Sequence, residues 1–493
     1  MKKFIFATIL ILIIAAVYLF FVKQKEGAIN SPVNGNDKSI AVIPFSSLSN
    51  DTAQEYFSDG LTEGIINSLS HLKHLKVSAR NSVFKFRAKN IDEKEAGREL
   101  GVQMLLEGTV QRQGDRVRVN AQLINAEDGF TLWSEQYDEE ANDAFTIQDK
   151  ISGALSKKLQ VTVLNNVQES TKKSPGIEAY ELYLKGRSFW NKRTPPNLKK
   201  AIDYFNQAIA IDSNYALAFS GIADCYTALG YGSFIAPSDA FPKALQAAVR
   251  ALQLDSTLAA PHASIGYYRF YYDWDWAAAE QEFRIAIALN PNYELAYDWY
   301  GYYLTAMRRY DEAASIFKKA AELDPLSAPI MTDMGFSLYY GGRYDSAIKQ
   351  LNASLQLDPK LNLSHLWLGR SFEAQKKYKE AITEYKNALS ANANWAVALA
   401  AIGHVYGITG DHQHAQEILD SMMTLSAKQF VTAYGIALVH AGLDDDKRSI
   451  EWLNKAYDER SNWLVWLKTD TRWGSLKEDK RFVELINKVG LPQ

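Results

Sequence analysis

Cysteine is almost missing from this sequence. Cys225 is the single thiol in 493 residues, so no disulfide can close within the chain, and the compartment stays open on that ground. Charge of one sign is also missing. The 54 Lys and Arg against 57 Asp and Glu leave a formal charge of −3, which gives no overall attraction toward nucleic acid or an anionic surface. No glycine-rich phosphate loop ending in Lys occurs, nor a G-x-S-x-G elbow with a paired histidine. What is plentiful is aromatic: 12% of residues, with 27 Tyr and 11 Trp. Such rings fill a core or line a binding surface.

Charge, glycine and proline are all absent from "FIFATILILIIAAVYLFFV", residues 4–22. At 1.5 Å per residue a helix of that length crosses the roughly 30 Å hydrocarbon core of a bilayer. The following "KQKEGA" puts Glu26 where a cleavage site wants a small residue, so residues 1–25 read as an uncleaved signal-anchor helix. Lys2 and Lys3 before the run favour a cytoplasmic N-terminus. The expectation is a single-pass inner-membrane protein, contacting the membrane through residues 4–22, with the bulk of the chain periplasmic.

Residues 26–37 are polar and rich in Gly and Asn, as in a tether. From 38 to 163 the pattern is mixed α/β. "SIAVIPF" reads as a buried strand, "TAQEYFSDGLTEGIINSLSHL" as an amphipathic helix and "LKVSAR" as a second strand. "NIDEKEAGRELG" has an Asn cap, early acids and a terminal Gly101, the signals of a helix. "VQRQGDRVRVNAQLI" alternates at period two about a Gly-Asp turn and continues through "NAEDG" into "FTLWSEQYD", predicting a three-stranded antiparallel meander. A closing helix, "DAFTIQDKISGALSKKL", ends the module. Residues 164–176 read as a linker.

Beyond the linker the sequence repeats. Gly301, Gly335, Gly369 and Gly403 recur every 34 residues. Ala313, Ala347 and Ala381 keep the same step, as do Phe317, Leu351 and Tyr385, and Pro325 and Pro359. Small residues mark close helix crossings, large ones fill the space between hairpins, and Pro stops the second helix of each pair. Each hairpin buries only one face alone, so stacking stabilises it. The pattern, as in "AYDWYGYYLTAMRRYDEAASIFKKAAELDP", resembles the tetratricopeptide repeat over residues 177–457, about eight units, with 458–493 as C-terminal capping helices.

The module before it resembles the TolB amino-terminal-like domain, through Phe57-Asp59-Gly60-Leu61, Glu99-Leu100-Gly101, Leu106-Glu107-Gly108 and Leu132-Trp133. That family places the domain ahead of tetratricopeptide arrays in bacterial envelope and signalling proteins. The expected fold class is therefore multidomain: a transmembrane helix, a mixed-sheet α/β domain and an all-α solenoid.

The polar loop and helix start at 46–63 (Ser46, Ser47, Ser49, Asp51, Asp59, Glu63) lack the partners catalysis needs and read as capping. Gly60 reads as close packing of the helix on the sheet. His404, His412 and His414 do not converge as zinc ligands should. No catalytic, cofactor or metal residue is assigned, and neither a cofactor nor a nucleic-acid partner is expected. The repeat register puts Tyr267, Phe270, Tyr271, Tyr302, Phe336, Tyr339, Tyr340 and Arg370, with His404, on the first-helix face that solenoids offer to peptides. The expected function is a non-enzymatic, membrane-anchored adaptor that docks a protein or peptide there. The alternative is an accessory sensor whose α/β domain binds a small ligand and relays it to a separate cyclase or transcription regulator.

Overall fold

The computed structural model describes residues 38–48, 52–87, 92–114, 116–140, 144–162, 176–390 and 392–491. Strand β1 (Lys38–Val42) ends in the apolar Ile40, Ala41 and Val42 and is buried along Ser39–Val42. It pairs in parallel with β4 (Met104–Gln113), which continues through β5 (Arg116–Asn125) and β6 (Thr131–Glu140) as an antiparallel meander. β3 (Leu75–Val77) flanks β1, giving the order β3-β1-β4-β5-β6, and the two-residue β2 (Ser46–Ser47) adds to β4. The alternation read from the sequence is visible in β5, where Val117, Val119, Ala121 and Leu123 are buried and the residues between them face outward.

Helices α1 (Thr52–Ser70), α2 (Arg80–Val83), α3 (Glu93–Leu100) and α4 (Ala144–Leu159) complete the module. The cap of α3 is Asp92, whose carboxylate accepts from the Lys94 and Glu95 amides at 3.0 Å. The expected cap, Asn90, lies outside the described residues. Gly101 ends α3 in the left-handed region, φ 61°, where an L side chain is strained.

Eight helical hairpins follow: 177–211, 216–254, 259–289, 294–323, 328–357, 362–388, 396–426 and 433–458. Gly301, Gly335 and Gly369 are in these first helices because a Cβ there would lie 2.6, 2.6 and 2.5 Å from Phe317, Leu351 and Tyr385 of the paired second helix. Ala313, Ala347 and Ala381 are fully buried. Pro325 and Pro359 stand two residues past the helix ends at Leu323 and Leu357. Gly403 departs from the series, facing Val439 and Ile418 at about 3 Å rather than a ring. Residues 462–491 are 3-10 turns (Asn462–Trp466, Thr471–Glu478) and a helix (Lys480–Val489).

The membrane expectation is corrected. Among the described residues no helix is long and apolar enough to cross a membrane, and the run at 4–22 lies outside them. The most apolar array helices, such as Ala396–Ile408, have 13 residues, about 20 Å, which is too short to span. Over the described residues the fold class is thus a mixed sheet joined to a helical array, with no helix able to cross a membrane, and single-pass inner-membrane placement is withdrawn.

Sheet module and array also share more than a linker: residues Ser39–Gln493 form one compact unit, and a single apolar cluster runs from Ile40 to Leu295. Asn292, in the loop after the third hairpin, accepts from the Val77 amide (3.0 Å) and donates to the Ser70 and Leu75 carbonyls (2.9 and 3.0 Å). Asp324, after the fourth, accepts from the Ser82 amide (2.9 Å) and the Asn81 side chain (3.0 Å). Gly60 lets α1 close on the first hairpin, where its Cβ would sit 2.2 Å from Leu184; the helix approaches the array there, not the sheet as expected.

Candidate functional site: a ring-lined face and the segment that covers it

The first helices of the third to seventh hairpins bring the expected groove residues together. Tyr267, Phe270, Tyr271, Tyr302, Phe336, Tyr339 and Tyr340 belong to one cluster, through contacts such as Tyr267–Tyr271 at 4.6 Å and Tyr302–Phe336 at 4.7 Å between ring centroids. A π-helical turn at Arg269–Asp273 widens the third first helix, and two consecutive rings, Phe270 and Tyr271, both become fully buried. Arg370 and His404 extend the face into the sixth and seventh hairpins.

The face is not open. All of these residues are buried, none more than 6% exposed, and the chain's own segment after the last hairpin lies against Phe270, Tyr271, Phe336, Tyr340, Arg370 and His404. The Trp466 indole stacks on Tyr340 (4.6 Å, 21°) and stands edge-on to Phe336 (4.9 Å), with Phe270 and Tyr271 just beyond 6 Å. Trp463 donates its Nε1 hydrogen to Ser233 (3.0 Å) and shares a cation–π contact with Arg370. The Asn462 side chain donates to the Tyr231 carbonyl (3.1 Å). His404 reaches the Arg472 carbonyl (3.1 Å) with one ring nitrogen and Glu373 (2.7 Å) with the other.

Two carboxylates in this region, Asp470 and Asp333, are hydrogen-bonded. Asp470 accepts from Arg472 and from the Tyr434 hydroxyl. Burial pushes its carboxyl up, but Arg472 and then Arg370 outweigh that and hold it well below the usual carboxylate range. Deeper in the array, Tyr231 and Tyr302 hydroxyls meet at 3.0 Å and Tyr302 donates to Asp333. Burial lifts Asp333 to about 7, against the hydrogen bonds from Tyr302 and Asp298 that lower it.

Sequence reasoning missed Asn462, Trp463, Trp466, Asp470 and Arg472. A signal existed: three of the chain's 11 tryptophans fall between 463 and 473, a density a simple end cap does not need. The remaining candidates are placed more plainly. Glu63 bridges Arg80 (3.1 Å) and Arg187 (2.6 Å), and Asp59 pairs with Arg87. His414 bonds Asp411 at the start of its helix. Ser49 and Asp51 lie outside the described residues. Among the described residues no group of three His, Cys, Asp or Glu could hold a metal.

Comparison with known proteins supports the array. Tetratricopeptide models match residues 295–325 and 332–400, so the array contains tetratricopeptide repeats. Residues 36–154 match the second domain of HilA/YgeH-like transcriptional regulators; the TolB-like resemblance is not shown. A putative adenylate cyclase 3 of Rhizobium meliloti is 36% identical over 187 residues, 38% of this chain and 32% of that protein. The transcriptional regulator HilA of Salmonella typhimurium is 24% identical over 232 residues, 46% of this chain and 35% of that protein. The chain thus spans about a third of the length of these relatives. Among solved structures, pilF of Pseudomonas aeruginosa is 20% identical with a TM-score of 0.31, covering 42% of this chain and 93% of its own.

Proposed function

We propose that this protein is a regulatory scaffold whose tetratricopeptide array holds a peptide segment on its ring-lined first-helix face. The observation that carries the reading is the face's own occupant. Residues 462–473 are neither hairpin nor free coil, and they are gripped by rings (Phe336, Tyr340), by side-chain hydrogen bonds (Ser233, His404) and by a main-chain carbonyl (Tyr231). Large rings surrounded by water-excluding contacts are what concentrate binding energy in peptide sites. The regulatory part of the proposal rests on the match of residues 36–154 to a domain of transcriptional regulators. A small-ligand sensor has weaker support. The crevice between α1 and the first hairpin, lined by Tyr56, Asp59, Glu63, Arg80 and Arg187, encloses about 10 Å³, room for roughly one water.

The test uses the full chain carrying Trp466→Ala, which loosens the resident segment, and a fluorescent peptide copying residues 461–473. Saturable binding, read by anisotropy and weakened at least tenfold by adding Tyr340→Ala, is expected. Absence of binding by a variant that keeps its helical circular dichroism refutes the reading.

A further inference from the structure

Arg370 is the charged group set deepest in the ring-lined face, 2% exposed. Its guanidinium lies over Trp367 (4.4 Å) and over Trp463 of the covering segment (4.9 Å). Its Nε and Nη1 have no hydrogen-bond partner. The carboxylates of this region are committed elsewhere: Glu373 to His404 and Tyr385, Asp470 to Arg472 and Tyr434. Around Arg370 the hydroxyls of Tyr339 and Tyr340 and the Trp367 Nε1 are also buried without partners. Arg370 feels the charge of Asp470, which Arg472 already holds in hydrogen bonds, but its own buried Nε and Nη1 face rings in place of acceptors, only a partial compensation for lost hydration. The covering segment therefore meets the rings and some polar groups of the face but leaves the Arg370 Nε and Nη1 without an acceptor.

We propose that this face is built for a segment of a protein partner that carries an aromatic anchor and an Asp or Glu side chain within reach of Arg370. Residues 462–473 are the chain's own weaker occupant, displaced when that partner binds. The proposal rests on the reading of the face as a peptide site. Its chemistry follows from competition: a tethered resident acts at high effective concentration, so an incoming segment prevails only through an interaction the resident does not make. A carboxylate on Arg370 is such an interaction, since charge-assisted hydrogen bonds to a buried guanidinium are the strong ones.

The experiment uses the full chain with Trp466→Ala and four fluorescent peptides: a copy of residues 461–473, and three versions with a single Glu in place of Leu464, Val465 or Leu467. Anisotropy titrations are repeated in the same chain carrying Arg370→Gln. We expect one acidic peptide to bind roughly 10- to 100-fold more tightly than the copy, as one buried charge-assisted contact supplies, and to lose that advantage with Arg370→Gln. If the copy binds and no acidic peptide exceeds it, the acidic requirement is overturned while the peptide site stands. If an acidic peptide keeps its advantage without Arg370, the assignment to Arg370 is overturned. If no peptide binds a variant of unchanged helicity, the underlying reading falls and the proposal with it. Trp466→Phe, which keeps a ring in place, repeats the set should Trp466→Ala fail to fold.

Discussion

Asn292→Ala isolates what joins the sheet module to the array. The side chain makes three hydrogen bonds across the seam, accepting from the Val77 amide and donating to two carbonyls, all at 2.9–3.0 Å. Alanine strands the amide of Val77, a residue 1% exposed, at a cost of about 1–3 kcal/mol, and removes two further hydrogen bonds of about 1 kcal/mol each. Asn292 is only partly buried, so water recovers some of the loss, and the expected destabilisation is about 2–4 kcal/mol. Asn292→Asp keeps the acceptor for Val77 but turns a carboxylate toward the Ser70 and Leu75 carbonyls, and should be at least as damaging. Urea unfolding followed by circular dichroism gives the global change. Hydrogen exchange at the Val77 amide gives the local one and should accelerate most there. A change below about 0.5 kcal/mol with unaltered exchange at Val77 would refute the reasoning.

Glycine substitutions should separate by what their Cβ meets. Gly153→Ala in α4 meets nothing within 4 Å and should stabilise by about 0.5–1 kcal/mol through helix propensity, whereas Gly60→Ala overlaps Leu184 and should destabilise by about 1–2 kcal/mol; urea midpoints decide both. Glu63→Gln leaves the Arg80 and Arg187 guanidiniums without their shared carboxylate and should cost about 3 kcal/mol, measured the same way. Asp333 binds its proton more tightly folded than unfolded, with a folded pKa of about 7. Its contribution is therefore complete at low pH and lost as pH rises from about 4 through 7. Stability measured across that window should fall less steeply in Asp333→Asn; an unchanged slope would contradict the assignment.

The hairpins were legible because their rule is local. A 34-residue step in Gly, Ala and Pro says where helices cross and stop, and Gly301 against Phe317 or Gly369 against Tyr385 shows the packing behind it. The meander was legible for the same reason, from period-two alternation around short turns. What covers the ring-lined face was not. Periodicity assigns Phe336 and Tyr340 to a face, but Trp466 arrives from more than 120 positions away, by 3-10 turns that carry no repeat. Asn292 and Asp324 show a second limit. Both sit in the segments that follow a second helix and read as helix ends, yet their side chains also hold the sheet module, a role visible only once the two parts are in place.

The occupied face itself can be tested by cutting the chain. A protease site inserted after Arg460, in the turn beyond the last hairpin, separates residues 461–493 from the array without removing them. The two parts should travel together on gel filtration if residues 461–493 stay seated on the ring-lined face. Excess fluorescent 461–493 should replace the resident fragment saturably, and the same fragment with Trp463→Ala and Trp466→Ala should not. Release of the cleaved fragment from an array of unchanged helicity, or equal exchange by the doubly substituted fragment, would contradict that seating.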